Sequence, residues 1–432
     1  MAAAYIYRTN TSTASSWTFS AWVKRAGLGN NYLLSWGSSI GIGFGSTDYL
    51  QYYDSGSGSN PVTTAKYRDP SAWYHIVVKN DAGTLTFYVN GETPAGSGGT
   101  TGHALSSSTM SVGSFTSGSN SLDGCMSHVH FVDGTAYSAS TFGETDATSG
   151  IWKIKTSPTV TYGSQGFFLK MEDRTNLDLD SSPNALTFTT SGDLTATYDN
   201  PSNNFCTLNP LAVATSNPIT FGNGNNTGFF TSTAAWRATF GTLAPSSGKW
   251  YYEAIGGNSS GHLHVAIASL EWANALGVNN ELGTTTLQPS YSLYGTNGNM
   301  YYSTTSAAAT NTAYGSAYVE TDYIGCYFDL DNNKIYFAKN GVLQNLTGSD
   351  AIGFSIQSGY TYSPALGLYN QTAAGTQCNF GNGSFGSTSL TGTTYSDVGG
   401  EGTFKYNPST GTFDGASKDF RAICTKNIKA YG

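Results

Sequence analysis

Gly325-Cys-Tyr-Phe-Asp-Leu-Asp-Asn-Asn-Lys-Ile-Tyr-Phe-Ala-Lys-Asn-Gly341 decides the reading of the fold. An apolar run meets an Asp-led turn, and an outgoing run then ends in Asn-Gly. That is hairpin grammar, because Asn and Gly accept the positive φ that tight turns require. The same grammar occurs far upstream, where Asp81 to Asn90 repeats the spacing of Asp331 to Asn340. Leu85 and Phe87 stand there where Ile335 and Phe337 stand here. The echo predicts two sandwiches of related topology.

Period-two alternation extends outward from these hairpins. Trp17, Phe19, Ala21 and Val23 alternate with Thr18, Ser20, Trp22 and Lys24, which predicts a strand with Trp22 as an anomaly on its polar face. Thr84 to Val89 places Leu85, Phe87 and Val89 on one face and Tyr88 on the other. Trp73 to Lys79, Asp123 to Asp133, Lys249 to Ala254 and His262 to Ala268 read as further strands, separated by Gly, Ser, Asn and Asp clusters. The one helix predicted is a turn or two near Leu270 to Leu276. The fold class is all-β, two tandem jelly-roll sandwiches.

Composition agrees. The 432 residues include 53 Gly and 29 Tyr; aromatics reach 14 % and charged residues only 11 %, against about 25 % in an ordinary soluble domain. Disorder needs low hydrophobicity and high charge, and coiled coils need Lys, Glu and Leu, so both are excluded. The net charge is −8, with no basic stripe, which argues against nucleic-acid binding. No apolar run approaches the ~18 residues of a membrane span; the stretch from Leu263 to Leu276 is broken by Glu271 and Asn274. The N-terminal residues lack a basic segment followed by an apolar core, so no secretory signal is read. Cys125, Cys206, Cys326, Cys378 and Cys424 are odd in number and far apart, and read as reduced, mostly buried thiols of a protein made in a cytosol. The turn-rich stretch Tyr198 to Asn204, with Pro201, marks the boundary. The predicted organisation is a first sandwich at 1–197, a linker at 198–210 and a second sandwich at 211–432.

Trp17-Thr-Phe-Ser-Ala-Trp-Val-Lys-Arg25, Arg68 to Val78, Phe87-Tyr-Val-Asn-Gly91, Val129-His-Phe-Val-Asp-Gly134 and Phe142 to Ala147 resemble the laminin G-like branch of the concanavalin A-like sandwiches. The form resembles the one found in structural proteins of tailed bacteriophages. Gly248-Lys-Trp-Tyr-Tyr-Glu253, Ile324 to Asp329, Ile335 to Gly341 and Cys378-Asn-Phe-Gly381 resemble a SPRY domain. Asp199 to Pro210 and Phe420 to Asn427 are also similar to those phage proteins. The chain departs from the pattern at Asp180-Ser-Ser-Pro-Asn184, where Pro183 replaces an expected Gly.

Four chemistries have candidate residues in the sequence. Glycanases of this fold carry a Glu-x-Asp-x-x-Glu run, because glycoside hydrolysis needs two carboxylates across the scissile bond. No such run exists; the densest acidic patch is Glu172-Asp173 followed by Asp178 and Asp180. The pairs His128/His130 and His262/His264 each project two imidazoles from one strand face, yet alternation makes them plain exposed, outward residues. Calcium has candidate oxygens at Asp48, Asp54, Asp123, Asp180 and Asn184, but no spacing singles out a site; no cofactor is expected. Glycan binding needs flat aromatics beside polar groups. The candidates are Trp22 and Tyr88 on faces that should be polar, and Tyr52, Tyr53, Trp272, Tyr291 and Tyr294 in connecting regions.

The sequence therefore leads to a non-enzymatic virion structural protein, assembled in the host cytoplasm: a fibre, decoration or adhesion element. It would meet host-surface glycan or other virion proteins, the SPRY-like half being as suited to protein as to sugar, and act as a homo-oligomer with no nucleic acid and no membrane span. A phage-borne polysaccharide depolymerase and a secreted bacterial glycan-binding adhesin are the rivals.

Overall fold

The computed structural model describes residues 3–56, 60–99, 104–115, 118–214, 218–233, 235–273, 281–284, 288–307 and 310–432. Two compact units divide the chain: residues 1–196 with 200–202, and 197–199 with 203–432. Residues 203–210, read above as linker, belong to the second unit, where Phe205, Cys206 and Leu208 are buried.

The first unit contains β1 (Tyr5–Asn10), β2 (Trp17–Arg25), β3 (Asn31–Trp36), β4 (Ile40–Phe44), β5 (Tyr49–Asp54), β6 (Val62–Lys66), β7 (Trp73–Asp81), β8 (Thr84–Val89), β9 (Ser108–Val112), β10 (Gly124–Asp133), β11 (Gly143–Thr145), β12 (Trp152–Ile154), β13 (Phe167–Leu169) and β14 (Thr189–Ser191). Among the described residues a sheet of order β14-β1-β9-β3-β4-β5-β6 faces one of order β13-β10-β2-β7-β8. Trp17, Phe19, Ala21 and Val23 enter the core between them with Leu34, Ile42, Phe87, Val129 and Phe131. Each large apolar side chain fully removed from water contributes about 1.5–3 kcal/mol, so this alternating set drives the closure.

The opposite face of β2 is buried as well. The segment after β10 folds back over it, and Val77, Val132, Ala139, Phe142, Tyr162 and Phe168 form a second apolar layer with Tyr88 and Trp152 at its margin. Gly143 is needed there, since a Cβ would come within 2.5 Å of the Trp152 ring.

The second unit opens with β15 (Thr220–Gly222), β16 (Thr227–Phe229), β17 (Arg237–Phe240), β18 (Lys249–Ile255), β19 (Leu263–Ser269), β20 (Ser290–Tyr294), β21 (Met300–Ser303), β22 (Thr310–Thr312), β23 (Tyr323–Asp329) and β24 (Lys334–Lys339). One sheet runs β15-β16, Thr376–Asn379, then β18-β23-β24; the other runs β17, Tyr362–Leu368, then β19-β20-β21-β22. Trp250, Tyr252, Val265, Ile267, Leu293, Phe328, Phe337 and Leu366 lie between them. The outer face of the first sheet is again covered, here by Phe404, Phe413 and Phe420 from the C-terminal segment packing on Tyr251, Tyr327 and Tyr336.

The echoed hairpins share their exit. Asn90 and Asn340 lie at φ 50° and 51°, and Gly91 and Gly341 at 85° and 80°. Each asparagine accepts a side-chain hydrogen bond from the first strand's backbone, His75 N–H at 2.8 Å and Tyr323 N–H at 2.9 Å. Their entries differ: Ala82-Gly83 joins β7 to β8, whereas Leu330 to Asn333 join β23 to β24. Among the described residues α-helix is confined to Leu270–Ala273 and Thr425–Tyr431, with a single 3-10 turn at Ala139–Thr141. The first fulfils part of the predicted turn, whose remainder at 274–276 lies outside the described residues; the second was not predicted. No helix of the described chain is long and apolar enough to cross a membrane.

Candidate functional site

On the outer face of the second unit's six-stranded sheet, alternation along β19 turns His264 away from the core formed by Leu263, Val265 and Ile267. Gly367 on the neighbouring strand lets the imidazole lie flat there, since a Cβ would stand 3.0 Å from that of His264. Tyr294 stacks on the imidazole at 4.5 Å and 7° between planes, and Trp236 and Tyr301 meet it edge-on at 4.8 and 5.5 Å. Tyr369 packs on Trp236 at 5.1 Å and on His262 at 5.2 Å. His264 is fully buried beneath these rings, whereas Trp236, His262, Tyr294, Tyr301 and Tyr369 are each half-buried. Their exposed parts form one aromatic surface.

Polar groups rim it. Asn297 donates to the Tyr301 hydroxyl at 3.4 Å, Asn299 donates to Asn311 at 3.3 Å, and Asn258 donates to the Asn370 carbonyl at 2.9 Å. The His264 ring is anchored by Ser292 Oγ on Nδ1 at 2.8 Å, with Glu281 3.6 Å from Nε2. Burial lowers the His264 pKa, with Glu281 pulling the other way. A buried, largely neutral imidazole under partly exposed rings is a rigid floor for stacking.

The predicted aromatics scatter. Tyr294 lies in this surface. Tyr291 does not: it is a core residue whose hydroxyl accepts from Gln357 N–H at 2.8 Å. Trp272 is fully buried against Phe240 at 5.7 Å, and Tyr52 is fully buried on β5 beside Trp17 and Trp36. Trp22 stacks on His75 at 4.9 Å beneath the second layer of the first unit, and Tyr88 is half-buried at that layer's margin. Tyr52, Trp272 and Tyr291 were read as belonging to connecting regions, but they lie on β5, on the short helix Leu270–Ala273 and on β20 with their rings turned into apolar clusters, whereas Trp22 was read as a surface ring because alternation reports the first layer and not what covers it. Tyr53 is half-buried on the outer face of the seven-stranded sheet, edge-on to Tyr32 at 6.4 Å and Phe115 at 5.5 Å. Trp236, Tyr301 and Tyr369 were missed; they join only through strand pairing, and their one local signal was aromatic character.

The histidines of the first unit are corrected likewise. His128 and His130 point away from the core, as alternation required, but both are buried. His130 stacks on Phe168 at 3.9 Å and meets the Tyr162 hydroxyl at 2.8 Å. His128 sits in a bulge at φ 49°, with Ser127 Oγ at 2.9 Å from Nδ1. His75 accepts from Trp152 Nε1–H on Nδ1 at 3.0 Å, so its Nε2 carries the proton and donates to Ser20 Oγ at 2.9 Å. That tautomer cannot take the serine proton, and the pair is no nucleophile.

The acidic candidates are used internally. Asp180 accepts from Phe168 N, Ser182 N, Ser182 Oγ and Leu186 N within 2.8–2.9 Å. Asn184 donates to the carbonyls of Gly163 and Gly166. Glu172 is half-exposed and pairs with Lys170 at 2.9 Å. Asp48 pairs with the buried Arg25 at 3.0 Å, and Asp54 accepts from Gly56 N. The Asp123 carbonyl accepts from Ala26 and Gly27 N–H. Among the described residues no three His, Cys, Asp or Glu side chains gather to hold a metal ion. Four of the five cysteines are buried, without a disulfide.

Residues 2–141 match the family model described as the concanavalin A-like lectin/glucanases superfamily, and residues 249–383 match that of the SPRY domain. No curated protein matches the chain. Among solved structures, the SPRY domain of human HERC1 is similar at 16 % identity over 40 % of this chain and 96 % of its own, with a TM-score of 0.31. A putative carbohydrate binding protein from Bacteroides ovatus is similar at 18 % identity over 44 % of this chain and 58 % of its own, with a TM-score of 0.30. The TRIM65 PSpry domain is similar at 12 % identity over 40 % and 87 %, with a TM-score of 0.29. At these scores the likenesses say nothing of ligand or partner. Sheet order, core and the two family matches agree: a laminin G-like, concanavalin A-like sandwich is followed by a SPRY domain, both of them β-sandwiches.

Proposed function

We propose that this chain is a non-enzymatic binding protein whose second sandwich holds a bacterial surface glycan on the ring surface of Trp236, Tyr294, Tyr301 and Tyr369. The observation that carries the reading is that surface itself: half-buried rings on a fixed floor, rimmed by amides, match the C–H faces and hydroxyls of sugars. Its setting is a tailed-phage virion, as a fibre, decoration or adhesion element built in the host cytoplasm, working without a cofactor. Copies in a homo-oligomer beside other virion proteins would turn weak sugar contacts into avidity. The occupied carboxylate of Asp180 supports binding over depolymerisation at the acidic patch.

The test is binding of the purified chain to an array of bacterial surface polysaccharides. Combined Trp236→Ala and Tyr369→Ala should weaken binding roughly tenfold or more, two ring contacts being worth about 0.5–1.5 kcal/mol each, with the β-sheet circular dichroism retained although the lost ring packing lowers the melting temperature. Undiminished binding sinks the assignment of this surface. Reducing ends released from the bound polysaccharide sink the non-enzymatic reading, and immunogold labelling that misses intact particles sinks the virion.

A further inference from the structure

The six-stranded sheet of the second sandwich is built from nearly uncharged sequence. Residues 254–270, 282–319 and 351–396 supply all its strands except β17, and they contain no Lys, Arg, Asp or Glu. The rim of the ring surface is accordingly neutral: Thr296, Asn297 and Asn311 are exposed, and Asn258 and Asn299 are half-buried. Hydroxyls and amides give and accept hydrogen bonds without charge, as sugar hydroxyls do. An anionic sugar asks for more. A carboxylate or phosphate that leaves water is best held by Arg or Lys, whose charged donors make the shorter and stronger bonds.

Two charges stand at the margin, and neither serves an anion. Arg237 opens β17 but is 4 % exposed. Its guanidinium lies 5.3 Å over the core ring of Phe230 and donates to the Trp236 carbonyl at 2.9 Å. Glu281 stands on the ring side. Its carboxylate is 23 % exposed and 3.6 Å from His264 Nε2, and it accepts from Thr284 Oγ1 at 3.2 Å. His264 in turn carries Tyr294 stacked on its face. Burial raises the Tyr294 pKa and the Glu281 charge adds to the rise, so the field of that carboxylate reaches the ring surface.

We infer that the ring surface takes a neutral glycan and rejects an acidic one, with Glu281 as the residue that sets the preference. The inference rests on the glycan reading of that surface and narrows its substrate class. A uronate held on Tyr294 would meet the Glu281 charge while Arg237 stays turned to the core. Between unit charges several ångströms apart at a protein surface, that repulsion is worth roughly three- to tenfold in affinity.

Biolayer interferometry of the full chain at about pH 8, where an ordinary imidazole is neutral, tests it. Every polysaccharide bound in the array, with pullulan, mannan and galactan beside it, is presented in native form and after oxidation of its primary hydroxyls to carboxylates. Native neutral polymers should bind, and their oxidised forms about tenfold more weakly. Glu281→Gln should recover about threefold of that loss, whereas Glu92→Gln, which removes an exposed charge from the first unit, should recover none. An acidic polymer held through Trp236 and Tyr369 as tightly as a neutral one overturns the preference and leaves the glycan reading standing. A loss that Glu281→Gln does not reduce overturns the role of Glu281. If Trp236→Ala with Tyr369→Ala changes the binding of no polymer, the glycan reading itself fails, and this inference with it.

Discussion

Asp48→Asn should cost the first sandwich about 3–5 kcal/mol, the usual penalty for stranding a buried charge. Arg25 closes β2 with no exposed surface, lying 4.2 Å over the Phe44 ring. Its guanidinium donates to the carbonyls of Tyr67 and Gly29 and to Asp48 Oδ1, the last at 3.0 Å. Those neutral carbonyls solvate the charge, but Asp48 alone neutralises it in this ion pair. Burial already lowers the pKa of Arg25, with Asp48 holding it up. Asparagine is the informative replacement because position 48 sits at φ 68°, a conformation Asn tolerates. Its amide oxygen can keep the bond from Gly29 N–H, at 2.8 Å in the native chain, so shape is preserved and charge is lost. For a domain of this size the loss corresponds to roughly 10 °C in thermal unfolding. Adding Arg25→Met should recover part of it, since a paired removal leaves no orphan charge. The loss should be equal in calcium and in chelator. A change below about 1 kcal/mol would dismiss the pair, and a loss confined to calcium-loaded protein would return Asp48 to metal binding.

The sandwich cores were legible because they obey one period. Trp17, Phe19, Ala21 and Val23 needed only strand alternation to be placed, and the two Asn-Gly exits needed only the φ tolerance of those residues. The covering layers were not legible. Phe142 and Trp152 over one sheet, and Phe404, Phe413 and Phe420 over another, come from short irregular segments with no period. Their presence inverts the meaning of an aromatic on a polar face: Trp22 signals a second layer and not a docking surface. His128 and His130 were misplaced for the same reason. The ring surface around His264 was half legible. Tyr294 lies on the strand paired with β19, but Trp236 and Tyr369 arrive from opposite ends of the sequence of that unit. Only the pairing of β17 with Tyr362–Leu368 brings them side by side.

The covered histidines also set the acid limit of the first sandwich. Burial pushes His75 down to about 3 and His128 down to about 4, and it drives His130 well below the ordinary 6.5, with the other two histidines adding repulsion. Each is neutral when folded, whereas the unfolded chain protonates near 6.5. Between those values the unfolded state binds more protons, so stability rises with pH there. The contribution is fully present above about 6.5 and is lost as pH falls toward 4. His75 and His128 then each cost about 3 kcal/mol between pH 7 and 4, and His130 adds to the loss in the same direction, which makes it a large part of the stability of a domain. The second sandwich contains an opposing group: burial pushes Glu253 up to about 7, so its contribution grows as pH falls from 7 toward 4.5, offsetting the loss from His264. The first unit should therefore unfold first on acidification. Urea unfolding followed between pH 6 and 4.5 should show a slope near 4 kcal/mol per pH unit for the first unit, about 1.4 for each of three protons. His128→Gln, which leaves His75 and His130 in place, should cut that slope by about a third. A flat profile across this range would mean that these imidazoles are protonated in the folded state, and that the layer over them opens to water.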